Sequence, residues 1–295
     1  MRWLLSLTAC VAAAAAFLFG QTVAPNATGI SIGHIHFTVP DPDGMLKVWT
    51  DVMGGTPATA GPLKMVKLPG VFIIATARPN PAGGTKGSVV DHIGFSVKSF
   101  ADTKAKATAA GLPVQEVTPN VQAFITLPND IILEVQEDTT LTTQSAFSHY
   151  HLSAADTNAA REWYIKTFGG EEGERRKGLK GAKIPGGFVD FLGFGGGGKG
   201  KGGKGGKGGA PPAEAPAAAA AAPAPTGPAA SKGRALDHIG FEVKDLKAFT
   251  DRLEGGGQKM DMKFNDMSAK IGLKIAFITD PNGTYIELTE GLNAK

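Results

Sequence analysis

A short run of alternating apolar and polar positions recurs four times along the chain. His34-Ile35-His36-Phe37-Thr38-Val39 matches His92-Ile93-Gly94-Phe95-Ser96-Val97 and His238-Ile239-Gly240-Phe241-Glu242-Val243, and His149-Tyr150-His151-Leu152-Ser153-Ala154 is a looser copy. Each run is rich in β-branched or aromatic residues, which predicts a strand. A stretch of helical character follows each one, over residues 45–52, 100–110, 158–168 and 246–253. Gly54, Gly111, Gly169 and Gly255 stand just beyond these stretches, where a helix C-cap favours glycine. Further strands complete each unit, the last of them over 71–76, 131–136, 188–192 and 284–289. In the final one, period-2 alternation puts Tyr285 and Glu287 on one face and Ile286 and Leu288 on the other. The pattern predicts four βαβββ modules.

Modules one and three carry His-x-His on the first strand and a helix ending in Met-Gly-Gly or Phe-Gly-Gly. Modules two and four open on Asp-His-Ile-Gly-Phe and close on Pro-Asn followed by Glu. The chain therefore reads as a duplicated pair, with residues 30–140 as a first domain and 147–194 with 235–290 as a second. Residues 195–234, between modules three and four, are Gly/Lys-rich and then Ala/Pro-rich, with no apolar periodicity. Such composition buries too little surface to offset ordering entropy, so a disordered linker inserted within the second domain is expected.

Composition narrows the chemistry. Arg2 precedes an uncharged apolar run from Trp3 to Phe19, shorter than the roughly 20 residues of a membrane span. Residues 1–24 read as a cleaved signal peptide, which implies a secreted or periplasmic protein with no stable membrane anchor. Leu7-Thr8-Ala9-Cys10 resembles a lipobox, but the apolar stretch before Cys10 is short and the residues after it stay apolar, so lipidation is the less favoured route. Cys10 is the only cysteine, which excludes an intrachain disulfide or a thiolate cluster and leaves His and carboxylates to hold any metal. The net charge of +3 gathers largely in 175–207 and 232–252. The folded parts are then near neutral, which argues against nucleic acid as a partner.

Asp91-His92-Ile93-Gly94-Phe95 and Asp237-His238-Ile239-Gly240-Phe241 resemble the first strand of vicinal oxygen chelate (glyoxalase I-like) modules. Asp280-Pro281-Asn282-Gly283-Thr284-Tyr285-Ile286-Glu287-Leu288 resembles their closing strand. Ala159-Ala160-Arg161-Glu162-Trp163-Tyr164 with Phe168-Gly169-Gly170 resembles their odd-module helix. The likeness spans nearly all of residues 30–290 outside the linker. It implies an α+β fold in which four βαβββ modules pair into two cup-shaped half-barrel domains. It also implies a divalent metal (Zn, Ni, Fe, Co or Mn) held by the first and last strands against a small-molecule substrate. With two domains in one chain, a monomer suffices.

Carried over residue by residue, the resemblance makes His34 and His92 the first-strand ligands of the front half and His149 and His238 those of the back half. Glu134 and Glu287 are the last-strand ligands, each six residues after a proline, Pro128 or Pro281. Asp190 is the module-three candidate, although Pro185 lies five residues ahead of it, and Ile74 at the matching place in module one cannot bind metal. The back half then offers His149, Asp190, His238 and Glu287, a set like that of glyoxalase I and related epimerases. The front half offers His34, His92 and Glu134, like the metal face of ring-cleaving dioxygenases. His36 and His151 lie two residues beyond a ligand and share its face, as acid/base groups or as packed histidines. The activity implied is metal-dependent lyase or isomerase chemistry through a chelated enolate. The alternatives are Fe(II)-dependent extradiol-type ring cleavage and a non-catalytic small-molecule cup. Export counts against the cytoplasmic cofactors glutathione and coenzyme A as substrates.

Overall fold

The computed structural model describes residues 23–194 and 227–295. Cys10, nearly all of the expected signal peptide and residues 195–226 of the expected linker lie outside the described residues. The four modules form as the pattern predicts. Module one comprises β1 (Ile30–Val39), α1 (Pro42–Asp51), β2 (Thr56–Ala60), β3 (Leu63–Leu68) and β4 (Val71–Ala77). Module two comprises β5 (Val90–Val97), α2 (Phe100–Ala109), β6 (Val114–Thr118), β7 (Gln122–Leu127) and β8 (Ile131–Glu137). Module three follows with β9 (Ser145–Ala154), α3 (Thr157–Phe168), β10 (Glu171–Arg176), β11 (Leu179–Ile184) and β12 (Gly187–Gly193). Module four has β13 (Leu236–Val243), α4 (Leu246–Gly255), β14 (Met260–Asp266), the one-turn α5 (Ser268–Ile271), β15 (Lys274–Thr279) and β16 (Tyr285–Glu290). The side chains of Asp41, Ser99, Asp156 and Asp245 start the four long helices by accepting backbone N–H groups of the first turn, which satisfies donors that no helical carbonyl can reach.

The modules pair differently from the consecutive halves expected. One eight-stranded sheet runs β14-β15-β16-β13-β1-β4-β3-β2 and joins modules one and four; the other runs β10-β11-β12-β9-β5-β8-β7-β6 and joins modules two and three. The chain changes sheet between modules one and two and again between three and four, and the two crossing segments run against each other. Val89 N–H donates to the Ala229 carbonyl at 2.9 Å, Ala82 N–H to Gly233 at 2.9 Å and Ala235 N–H to Gly83 at 2.8 Å. Residues 227–234, read above as the end of a disordered linker, are thus structured: Ser231 is fully buried and its hydroxyl accepts from Tyr285 N–H at 2.9 Å.

One continuous core lies between the sheets. Trp49 of α1 packs on Phe95 of β5 with ring centroids 5.1 Å apart, and Phe168 of α3 stacks on Phe241 of β13 at 4.2 Å. Burial of this apolar surface is the main stabilising term. Tyr150 adds a specific link, donating its hydroxyl to the His34 carbonyl at 2.9 Å. Along β1 the register shifts between Ile32 and His34. Ile35 and Phe37 therefore face the core while His34 and His36 face away from it. Among the described residues, no helix is long and apolar enough to cross a membrane.

Candidate metal centres

All six histidines of the chain fall into two clusters, each with one glutamate. His34, His36, His238 and Glu287 form the first, in the sheet of modules one and four. His92, Glu134, His149 and His151 form the second, in the sheet of modules two and three. In each, one nitrogen or oxygen per residue lies within 4.8 Å of the others. The sheet register explains both sets. On antiparallel neighbours His34 stands opposite Gly240 and His36 opposite His238, while parallel pairing sets Gly240 beside Glu287. The second sheet repeats this, with His149 opposite Gly94, His151 opposite His92, and Gly94 beside Glu134.

The glycine of Asp-His-Ile-Gly-Phe is what lets the rows close. A Cβ on Gly240 would lie 2.1 Å from the His34 ring, and one on Gly94 would lie 1.8 Å from the His149 ring. Both distances are far inside van der Waals contact, so only glycine leaves the imidazole room to lean across its strand toward the glutamate. His34 Nε2 then lies 3.0 Å and His238 Nε2 2.8 Å from Glu287 Oε2. In the second cluster His92 Nε2 lies 3.0 Å and His149 Nε2 3.6 Å from Glu134 Oε2. The aspartate before each even-module histidine holds the far side of the ring: Asp237 Oδ1 is 2.7 Å from His238 Nδ1, and Asp91 Oδ1 is 2.6 Å from His92 Nδ1. This carboxylate–imidazole pairing fixes tautomer and ring orientation, as outer partners of metal-bound histidines do.

The electrostatics follow from burial against pairing. Burial opposes charge on His238, but its hydrogen bonds to the Asp237 and Glu287 carboxylates outweigh it and push the pKa up to about 8. Glu287 is buried too, yet the two imidazoles hold its carboxyl well below the usual range. Burial and the neighbouring His238 hold His36 well below its ordinary value. Burial lowers His149 to about 4, and burial with the neighbouring His92 and His149 lowers His151 to about 2. His34 Nδ1, His36 Nδ1 and His151 Nε2 are buried with no hydrogen-bond partner. Converging imidazoles, three of them with an orphaned nitrogen, and one ionised carboxylate per cluster are a donor set that fits a divalent transition metal.

The sets expected from sequence are recombined. His34 joins His238 and Glu287, and His149 joins His92 and Glu134, because β1 lies beside β13 and β5 beside β9. His36 and His151, assigned above as acid/base groups, sit inside the clusters. Asp190 belongs to neither: it is fully buried and takes a hydrogen bond from Arg175 Nε at 2.6 Å. Sequence reasoning missed Arg175 and Arg176. The signal lay in an extra residue between the Gly-Gly pair and the following proline, fifteen steps from Gly170 to Pro185 against fourteen from Gly55 to Pro69. That residue bulges β10 between Glu174 and Arg176. Arg176 hydrogen-bonds Glu134 and Gln136, the latter at 2.8 Å. The two arginines, with Ser96, Gln136 and Ser148, line a cavity of about 450 Å³.

Comparison with known proteins bears on the same point. Residues 146–288 match the model of the Glyoxalase/Bleomycin resistance protein/Dioxygenase superfamily. That span runs through modules three and four, which lie in different sheets. No curated protein matches the chain in sequence. Among solved structures, glyoxalase I from Zea mays superposes with a TM-score of 0.61 at 13% identity, over 90% of this chain and 94% of that one. A Bacillus subtilis protein provisionally described as a dioxygenase superposes with a TM-score of 0.57 at 12% identity, over 92% of this chain and 86% of that one. At such identities the likeness is one of fold. Residues 146–288 thus belong to the Glyoxalase/Bleomycin resistance protein/Dioxygenase superfamily, also called the vicinal oxygen chelate superfamily, and the repeated modules carry the same two-sheet architecture through the rest of the described chain.

Proposed function

We propose that the protein is an exported metalloenzyme that acts on a small substrate bearing two adjacent oxygens, by lyase or isomerase chemistry, at the cluster of His34, His36, His238 and Glu287. The observation that carries this reading is the state of Glu287. Its Oε2 faces His34 and His238, and among the described residues no lysine or arginine is bonded to it. His36, the one half-buried member, marks the side from which a substrate enters. A divalent ion here supplies Lewis acidity toward the paired oxygens. Three neutral imidazoles and one carboxylate leave such an ion a net positive charge, which favours an oxygen-rich, electron-rich ligand. Asp237 keeps His238 Nε2 turned inward. Phe277 and Tyr285, stacked with centroids 4.8 Å apart, stand edge-on to the His238 ring and shield it from water. Because burial holds His36 and His151 far below neutrality, we assign both as nitrogen donors; a base that weak gains little by taking a proton at pH 7.

Elemental analysis of the purified mature protein, with substrate turnover assayed in parallel, tests the proposal. Glu287→Gln should remove metal from this cluster, whereas Glu290→Gln should not, since Glu290 instead accepts Leu246 N–H at 2.9 Å and pairs with Lys274. Activity that needs Fe(II) and consumes oxygen would replace the lyase reading by ring cleavage. No metal above background after incubation with Zn, Ni, Mn and Fe(II) would leave a non-catalytic cup.

A further inference from the structure

The two clusters share a frame, but one departure changes their charge. Ala60 pairs with Leu63 at the turn joining β2 and β3. Arg176 pairs with Leu179 at the corresponding turn joining β10 and β11. Arg176 therefore stands where module one has a methyl group. Its guanidinium binds Glu134 Oε1, and Gln122 Nε2 donates to the same oxygen at 2.9 Å. On the other side of that carboxylate, Oε2 faces His92. Ile275 takes the place of Gln122 in the first cluster: it pairs with Thr289 two residues beyond Glu287, as Gln122 pairs with Gln136 two residues beyond Glu134.

We infer, resting on the metal reading above, that Arg176 is a built-in competitor for the metal, so that the chain carries one tight centre at Glu287 and one weak centre at Glu134. A guanidinium on the ligand carboxylate withdraws part of its charge. It also places a fixed positive charge a few ångströms from where a dication would sit, an interaction large at protein dielectric. Arg176 is a positioning residue, acting through Glu134. Its side chain is about one-third exposed and lines the cavity, so substituting it removes little packing.

The experiment is a Zn(II) titration of the full chain against a competing chelator, read by absorbance. Wild type should show two sites whose affinities differ by about a hundredfold or more. Glu287→Gln should abolish the tight site and Glu134→Gln the weak one. Arg176→Gln should tighten the weak site by about tenfold or more, while Arg176→Lys, which keeps the charge, should recover much less. Equal sites in wild type, or a weak site unmoved by Arg176→Gln, would overturn the inference and leave the metal reading standing. A protein that binds none of Zn(II), Ni(II), Mn(II) and Fe(II) at either glutamate would overturn both. Circular dichroism on each variant separates lost ligation from lost fold.

Discussion

Ile74 and Asp190 occupy the same place in the two sheets, each beside the second histidine of a His-x-His strand: Ile74 pairs with His36 and Asp190 with His151. Around Ile74 lies a small apolar cluster of Ala60, Met65, Phe72, Leu273 and Leu292. Around Asp190 the frame is polar. Gly181, whose Cβ would lie 2.3 Å from Asp190 Oδ1, leaves room for the carboxylate, and the bulged Arg175 neutralises it. The same fold thus presents one greasy and one charged cup.

Ile74→Asp should therefore be strongly destabilising, since module one has neither the bulge nor the arginine. An uncompensated carboxyl in that cluster should cost about 3 kcal/mol or more. Urea denaturation of the variant measures it; a change under about 1 kcal/mol would mean that water or a nearby cation reaches the site.

Gly94→Ala and Gly240→Ala should each disable one cluster. The added methyl must push the facing imidazole off its glutamate, at a stability cost of roughly 1–3 kcal/mol. Metal analysis should show Gly240→Ala losing only the Glu287 site and Gly94→Ala only the Glu134 site. Retention of full metal content by either would sink the account of why that glycine is there.

The metal-free protein should weaken as pH rises from about 6.5 to about 8. His238 has its pKa raised to about 8 in the folded state, so its contribution is fully present below the unfolded value near 6.5 and lost as pH passes through the folded one. The drop should be roughly 1–2 kcal/mol, seen in thermal melts with EDTA present. His238→Gln should flatten that slope, and a wild-type curve flat over the same window would contradict it.

Replacing residues 195–226 by a short Gly/Ser turn should leave the melting temperature within a few degrees, because loop-closure entropy changes slowly with length. The flanking residues already meet: a Cβ on Gly227 would lie 2.7 Å from the Phe194 ring. Extending the deletion through residue 234 should behave differently, since Ser231 is tied to β16 and Arg234 to the crossing segment at Gly84. If the shorter deletion also lowers the melting temperature by ten degrees or more, the segment contributes to the fold.

The sequence by itself determined the four modules, their strand–helix order and the residue types of the clusters. Those features rest on local physics: period-2 alternation, glycine at helix ends, and aspartate or serine at helix starts. It also placed His34, His92, His149, His238, Glu134 and Glu287 on the faces that carry the clusters, since face is set by alternation within one strand. Only the tertiary structure decided which histidine meets which glutamate. All four modules present similar edges and similar motifs, so pairing one with two or one with four puts the same residue types together. The choice depends on how the crossing segments at 78–89 and 227–235 pack, which no single strand encodes. Asp190 shows the same limit from the other side. Alternation put it on the right face, but the arginine that claims it comes from β10, two strands away across β11, through a one-residue bulge, and a buried charge pairs with whatever the fold brings within reach.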